Sequence, residues 1–430
     1  MKKIFRSIVV YILTAEAAWL LKRHKPMVIA VAGSVGKTST KDAVFAAIKN
    51  FVYTRKSEKS FNSELGIPLT VLGLRNAWSN PLLWLRNIID GFFTALFTRT
   101  YPEVLVLEVG VDAPGDMKKV AKWLAVDILV MTRLPNVPVH VENFGTVEAV
   151  IAEKMEILQA LKPDGVFVYN RDDTKIQEYL GEVRQKTVGY SRYLDSDFKA
   201  GRDKIFYQDD TPAGIKFTIK HLDNTYEINI KDTIGLHFVY AGAAAMAAAD
   251  ELSVPPDVAA KGISTLSAPA GRMRIIKGIK GSSLIDDTYN SSPVAVEQAL
   301  QVLSEIKYTK RKIAVLGDML ELGKYSSAEH KRIGKLVPKA TDILITVGIR
   351  ARSFAEGALA AGMSEENIFQ YDKTDRAGRE LQNMLHAGDV VLVKASQGIR
   401  AERIVEEVML EPEKASELLV RQSKEWSKIK

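Results

Sequence analysis

The sequence predicts an α/β protein made of two successive parallel-sheet units, and three observations predict it. Val28–Val31 is a short apolar run that passes through a glycine turn into a helix. Further runs of the same kind, EVLVLEVG (103–110), DILVMT (127–132) and GVFVYN (165–170), alternate with helical stretches. The alternation stops near residue 174 and restarts with LIDDT (284–288), KIAVLGD (312–318), DILITVG (342–348) and DVVLVKA (389–395). Strand–helix–strand alternation builds parallel sheets.

The first turn carries the chemistry. In VIAVAGSVGKTST (28–40), Gly33, Ser34 and Gly36 form the bend, and Lys37, Thr38 and Ser39 open the helix. Helix-start N–H groups and the helix dipole favour an anion there, and glycine lets the backbone come close. Lys37 would reach the β/γ-phosphates of ATP, and the Thr38 hydroxyl would sit on Mg²⁺. The motif is G-x-x-G-K-T, shorter than the usual phosphate loop because Val31 holds the first glycine position. The fold class is therefore a central P-loop ATPase domain with a mostly parallel sheet, followed by a smaller C-terminal Rossmann-like domain. Glu108, at the end of EVLVLEVG, is a carboxylate placed for Mg²⁺. His140 follows the next strand, in the loop RLPNVPVHVENFG (133–145) on the same side of the sheet.

Composition sets limits. The chain has 430 residues, 47% apolar, and no cysteine, which excludes disulfides, thiolate zinc sites and cysteine nucleophiles. Of the net charge of +7, most sits in residues 1–25, where Lys2, Lys3, Arg6, Lys22, Arg23 and Lys25 face Glu16 alone. The apolar run between these charges, Ile8–Leu21, is broken by Glu16. It is shorter than the ~20 residues a spanning helix needs. A signal peptide cut near Ala15–Ala17 conflicts with ATP chemistry, so a cytoplasmic protein is expected. The segment is read as a helix packed on the body or as a basic amphipathic helix at the inner membrane face, which leaves open peripheral membrane contact through residues 1–25. Positive charge gathered at one terminus, with no recognisable module, argues against nucleic-acid binding. A monomer is expected.

The aromatic, amphipathic segment 75–100 is read as a helix packed beneath the core, the alternative being an exposed apolar patch that binds a partner or lipid. A helix is expected over Val147–Leu161, carrying Lys154. Antiparallel strands are expected over 174–234 and an alanine-rich helix over Gly235–Leu252, with a linker at Ser267–Arg272. The tail after Glu411 reads as solvent-exposed. The divisions are thus 1–26 (basic N-terminal segment), 27–267 (ATP-binding domain) and 268–430 (C-terminal domain).

An ordered set of motifs narrows the chemistry: AGSVGKTST (32–40), FNSELGIPLT (61–70), LEVG (107–110), HVENFG (140–145), AEKMEIL (152–158), AGRMR (270–274), IDDTYNSSP (285–293), VLGDMLELG (315–323), His330 and VLVKASQG (391–398). With these residues the chain resembles the Mur ligase family over roughly 27–405. The resemblance implies an ATP-dependent amide ligase of cell-wall precursor synthesis acting on small-molecule or peptide substrates. In such an enzyme a carboxylate is phosphorylated, and a dipeptide or amino-acid amine attacks the acyl phosphate. It places Glu108 on a first magnesium, His140 on a second, and Lys154 where the family has a lysine carbamylated by CO₂. It puts Asn290 on adenine, and Arg272 and Asp287 on the nucleotide from the second unit. There are departures. The family's UDP-sugar-gripping domain is not found ahead of the phosphate loop, the turn before His140 reads Leu134-Pro135-Asn136-Val137, and Gln397 stands where arginine is common. The alternatives are a folylpolyglutamate-synthase-like ligase and a non-catalytic nucleotide-binding partner at the membrane.

Overall fold

The computed structural model describes residues 3–58, 61–78, 80–423 and 426. Among them, the first sheet has nine strands: β1 (Met27–Ala32), β2 (Thr54–Lys56), β3 (Val104–Glu108), β4 (Val126–Met131), β5 (Leu161–Asn170), β6 (Lys186–Ser191), β7 (Phe198–Gln208), β8 (Thr211–His221) and β9 (Asn224–Lys231). Their order is β2-β3-β1-β4-β5-β6-β7-β8-β9. Pairing is parallel through β7, and β7–β8–β9 form the expected antiparallel margin. The apolar runs β1, β3 and β4 are buried nearly throughout because helices cover both faces. One face meets α1 (Lys3–His24) and α3 (Gly66–Leu72); the other meets α2 (Lys37–Ile48) and the alanine-rich helix His237–Asp250. Small residues bring that last helix close: a Cβ on Gly242 would lie 2.8 Å from the Phe217 ring.

Three expectations need correction. The helix from Val147 ends at Met155, a 3₁₀ turn covers Glu156–Ala160, and Leu161 already opens β5. Pro163 and Gly165 are the local breakers. The aromatic segment is a helix, α4 (Pro81–Phe97), but it does not lie beneath the core. Only Trp84, Gly91 and Ala95 are buried, because α1 and α3 already occupy the sheet face and α4 packs outside them. The C-terminal tail also folds back. Ala415 and Leu419 are buried, and Arg421 pairs with Glu402 at 2.7 Å.

The second sheet has six strands: β10 (Arg274–Lys277), β11 (Ser283–Asp287), β12 (Arg311–Gly317), β13 (Ile343–Val347), β14 (Ile368–Tyr371) and β15 (Asp389–Lys394), in the order β10-β11-β15-β12-β13-β14. The short edge strands β10 and β14 were not legible in the sequence. Pairing is parallel except β10, which runs antiparallel to β11.

One buried charge in α1 makes a stability prediction. Glu16 is 7% exposed, its Oε2 has no hydrogen-bond partner, and burial raises its carboxyl to about pKa 7. The folded state therefore keeps a proton that the unfolded chain loses above about pH 4.5, so stability falls as pH rises towards 7. Glu16→Gln is expected to stabilise the protein by about 2–3 kcal/mol at pH 8 and by little at pH 5. Urea unfolding at the two pH values checks this.

Candidate active site between the two sheets

The strand order places β1 between β3 and β4, so connections leave to either side and open a crevice at the carboxyl ends of the strands. The glycine bend lies there. Gly33 has φ +126°, and a Cβ on it would lie 2.1 Å from Thr132 Oγ1 and 3.1 Å from the Arg133 nitrogen. Gly33→Ala is expected to cost about 2–4 kcal/mol, read from a lowered unfolding midpoint. Gly36 caps α2 in the left-handed region at φ +86°, where an added Cβ would meet nothing within 4 Å. Its requirement is conformational.

Lys37 is half-buried at the bend, with Nζ 3.4 Å from the Ser34 carbonyl. Burial depresses its pKa, and Glu108 opposes the shift. Glu108 is paired in register with Val31 and is 2% exposed. Its Oε1 accepts from Asn62 Nδ2 at 3.1 Å, its Oε2 accepts no hydrogen bond, and Lys41 Nζ stands 3.9 Å away. Ser34 Oγ is likewise buried without a partner. Thr38 and Ser39 lie at the same helix start.

His140 has φ +70°. Its Nδ1 meets Glu321 Oε2 at 2.9 Å, and its Nε2 lies 3.8 Å from Asp112. His140 holds the Glu321 carboxyl below its usual range. Lys154 is 2% exposed, not solvated. Burial lowers it to about 7, helped by the Lys37 charge and opposed by Asp112 and Glu153.

The second sheet closes the crevice. Asp287 at the end of β11 binds Lys394 Nζ at 2.6 Å, and the same ammonium donates to the Asn290 carbonyl at 3.0 Å. The Arg272 guanidinium lies 4.0 Å over the Tyr289 ring. Lys37, Thr38, Glu108 and His140 from the first unit and Arg272 and Asn290 from the second line one cavity of about 780 Å³. Gly36, Thr38 and Ser39 continue into a narrower pocket with Arg272, Asp287, Asn290 and Lys394. Lys154 is not among the lining residues of either; it stands behind them, within reach of the Lys37 charge.

Two sequence families match these halves: the Mur ligase middle domain over residues 88–249, and the Mur ligase, glutamate ligase domain over residues 271–397. A UDP-N-acetylmuramoyl-tripeptide–D-alanyl-D-alanine ligase of Bacillus subtilis (strain 168) is 31% identical over 386 residues, covering 90% of this chain and 76% of that protein. The chain belongs to the Mur ligase family. As a Mur ligase it is an ATP-dependent acid–amino-acid ligase. The Escherichia coli (strain K12) enzyme of the same name is 25% identical, with 90% of this chain and 78% of that protein covered. Among solved structures, the MurF ligase of Thermotoga maritima in complex with ADP superposes with a TM-score of 0.76 at 24% identity, over 94% of this chain and 84% of that one. Folylpolyglutamate synthase of Mycobacterium tuberculosis, complexed with ADP, shares the fold at a TM-score of 0.63 and 17% identity, over 92% of this chain and 94% of that one.

The structure adds Mur ligase residues that sequence reading passed over. Asn62 and Lys41 hold Glu108 from the side, Asp112 faces His140, and Lys394 links Asp287 to Asn290. His237 lines the narrower pocket half-buried, its buried Nε2 lacking a partner and its pKa lowered to about 4 by desolvation. Its only sequence signal is a histidine at the mouth of an alanine-rich helix. Asn62 lies inside a quoted motif and reads there as a turn former; its contact with Glu108 spans 46 residues and leaves no local pattern.

Proposed function

We propose that this ligase activates a muropeptide carboxylate as an acyl phosphate and joins it to the amine of D-alanyl-D-alanine or a related dipeptide or amino acid. The observation that carries the reading is the shared cavity, in which the phosphate bend faces Arg272 and Asn290 across the two units. Lys37 and the helix-start N–H groups would bind the β/γ-phosphates, and Asn290 with Asp287 would seat the nucleoside. Transfer of the γ-phosphoryl forms the acyl phosphate and ADP, and attack of the amine forms the amide and releases phosphate. Lys37 would stabilise charge developing on the phosphoryl oxygens.

The residues fit magnesium. Glu108 Oε2 is a buried anionic oxygen with no hydrogen bond, and the Thr38 hydroxyl lies at the same helix start. Among the described residues no cluster of three His, Asp or Glu side chains forms a complete cage. Phosphate oxygens would therefore complete a site that Thr38 and Glu108 begin, and His140 with Lys154 would serve a second. Bound magnesium would neutralise the repulsion between the polyphosphate and the acceptor carboxylate. Lys154 would serve as its carbamate, formed when the neutral amine adds to CO₂ and releases a proton. Burial that disfavours the ammonium favours that reaction. The chemistry belongs on the cytoplasmic side of the membrane, where ATP is available.

Phosphate release with ATP, Mg²⁺, bicarbonate, UDP-muramoyl tripeptide and D-alanyl-D-alanine, with mass spectrometry of the product, tests the proposal. The expected product is the UDP-muramoyl pentapeptide. Turnover with a folate and glutamate instead would favour the folylpolyglutamate-type reading, and no phosphate release with any pair would overturn both.

A further inference from the structure

The outward face formed by α1 and α4 is not used by the site described above. It is unusually apolar. Tyr11, Trp19, Leu82, Ile89, Phe93 and Phe97 are all more than a third exposed. The aromatic side chains touch one another: Trp19 meets Phe92 with centroids 6.3 Å apart, and Phe93 stacks on Phe97 at 5.8 Å. Opposite faces of the same helices hold the fold, through Val9, Leu13 and Leu20 of α1 and Trp84 and Ala95 of α4. A contiguous ridge of this kind, ringed by polar residues, marks a contact surface.

Its charge selects the partner. Residues 1–25 and 75–100 hold nine Lys and Arg against Glu16 and Asp90, which equals the net charge of +7 of the whole chain. The rest of the molecule is balanced. Of the two acids, Glu16 is buried and Asp90 is engaged by Arg86 at 3.3 Å. Lys22, Arg23 and Lys25 cluster at the end of α1, and Arg99 lies just past α4. Aromatic and leucine side chains on one face, with cations along the rim, match the boundary of an anionic bilayer. No helix among the described residues is long and apolar enough to cross a membrane, so the contact is interfacial.

We propose that the α1–α4 face docks on an anionic lipid surface. The face runs up to the ligase cavity. Trp78, ahead of α4, packs against Trp426 at 6.3 Å, and Trp426 lines the cavity. At the other helix, Arg6 pairs with Glu64 at 3.4 Å, two residues beyond the cavity-lining Asn62. Docking therefore brings the cavity mouth to the bilayer, within reach of an acceptor carried there.

The test uses the full chain without nucleotide. Co-sedimentation is measured with vesicles of phosphatidylcholine alone and with phosphatidylglycerol added. Binding is expected to be at least about tenfold stronger on the anionic vesicles and to weaken with salt. Lys22→Glu with Lys25→Glu should erase the preference, and Phe93→Ser with Phe97→Ser should reduce binding by about tenfold. These phenylalanines are exposed, so phosphate release in solution should be unchanged, which separates this test from that of the ligase reading. Absence of binding to either vesicle, or equal binding by the phenylalanine variant, overturns the proposal. So does light scattering that shows a dimer dissolved by the phenylalanine variant while vesicles remain unbound, because the face would then join two copies of the chain.

Discussion

Lys37→Ala is expected to lower phosphate release by roughly 10²–10³-fold, the usual loss when one preorganised donor to a developing oxyanion is removed. The same change should leave the unfolding midpoint unchanged or slightly higher. Lys37 is a half-buried cation whose contact with the Ser34 carbonyl is long, and desolvation already depresses its pKa. Folding gains little from it, and removing a poorly compensated, partly buried charge relieves some desolvation cost. Loss of turnover without loss of stability is thus the expected signature. A parallel thermal melt and phosphate-release assay would read it, and an active Lys37→Ala enzyme would remove the phosphate loop from the mechanism.

The second large effect is at Lys154. Lys154→Ala should reduce turnover by roughly 10²–10³-fold if its carbamate completes a magnesium site. The unmodified enzyme should lose activity in CO₂-free buffer and recover it on adding bicarbonate, while the variant stays insensitive. Lys154→Glu restores a carboxylate on a shorter stem and should recover part of the rate. Carbon-13 bicarbonate and NMR would detect the carbamate directly. An alanine variant with full turnover, or an enzyme indifferent to bicarbonate, would sink the two-metal reading.

Much of this architecture was legible because it is local. A buried apolar strand, a glycine bend and a helix start stand within thirteen residues, 28–40, and each next strand announces itself as a short Val/Ile/Leu run. Packing was not legible where two layers compete for one sheet face. Nothing within residues 75–100 reveals that α1, far upstream, already covers the position α4 was expected to fill. Edge strands β10 and β14 are four residues long and carry no period. The returning tail is invisible for the same reason: Arg421 finds Glu402 and the Thr288 carbonyl only in three dimensions. At the site, motif residues such as Glu108 and His140 could be placed. Their supports come from other elements: Asn62 and Glu321 lie within the motifs at 61–70 and 315–323, where nothing signals what they touch, and Asp112 carries no pattern of its own.

The contact between His140 and Glu321 has a consequence for how the two halves cooperate. Glu321 belongs to the second unit, yet it grips Nδ1 of an imidazole rooted in the first. A carboxylate on one ring nitrogen fixes the tautomer and aims the lone pair of the other nitrogen outward. In the proposed two-metal site, the imidazole would be held as a ligand only while the C-terminal half is seated against its neighbour. On that reading the second ion position would be armed by assembly of the two halves, and a molecule swung open would hold a slack histidine.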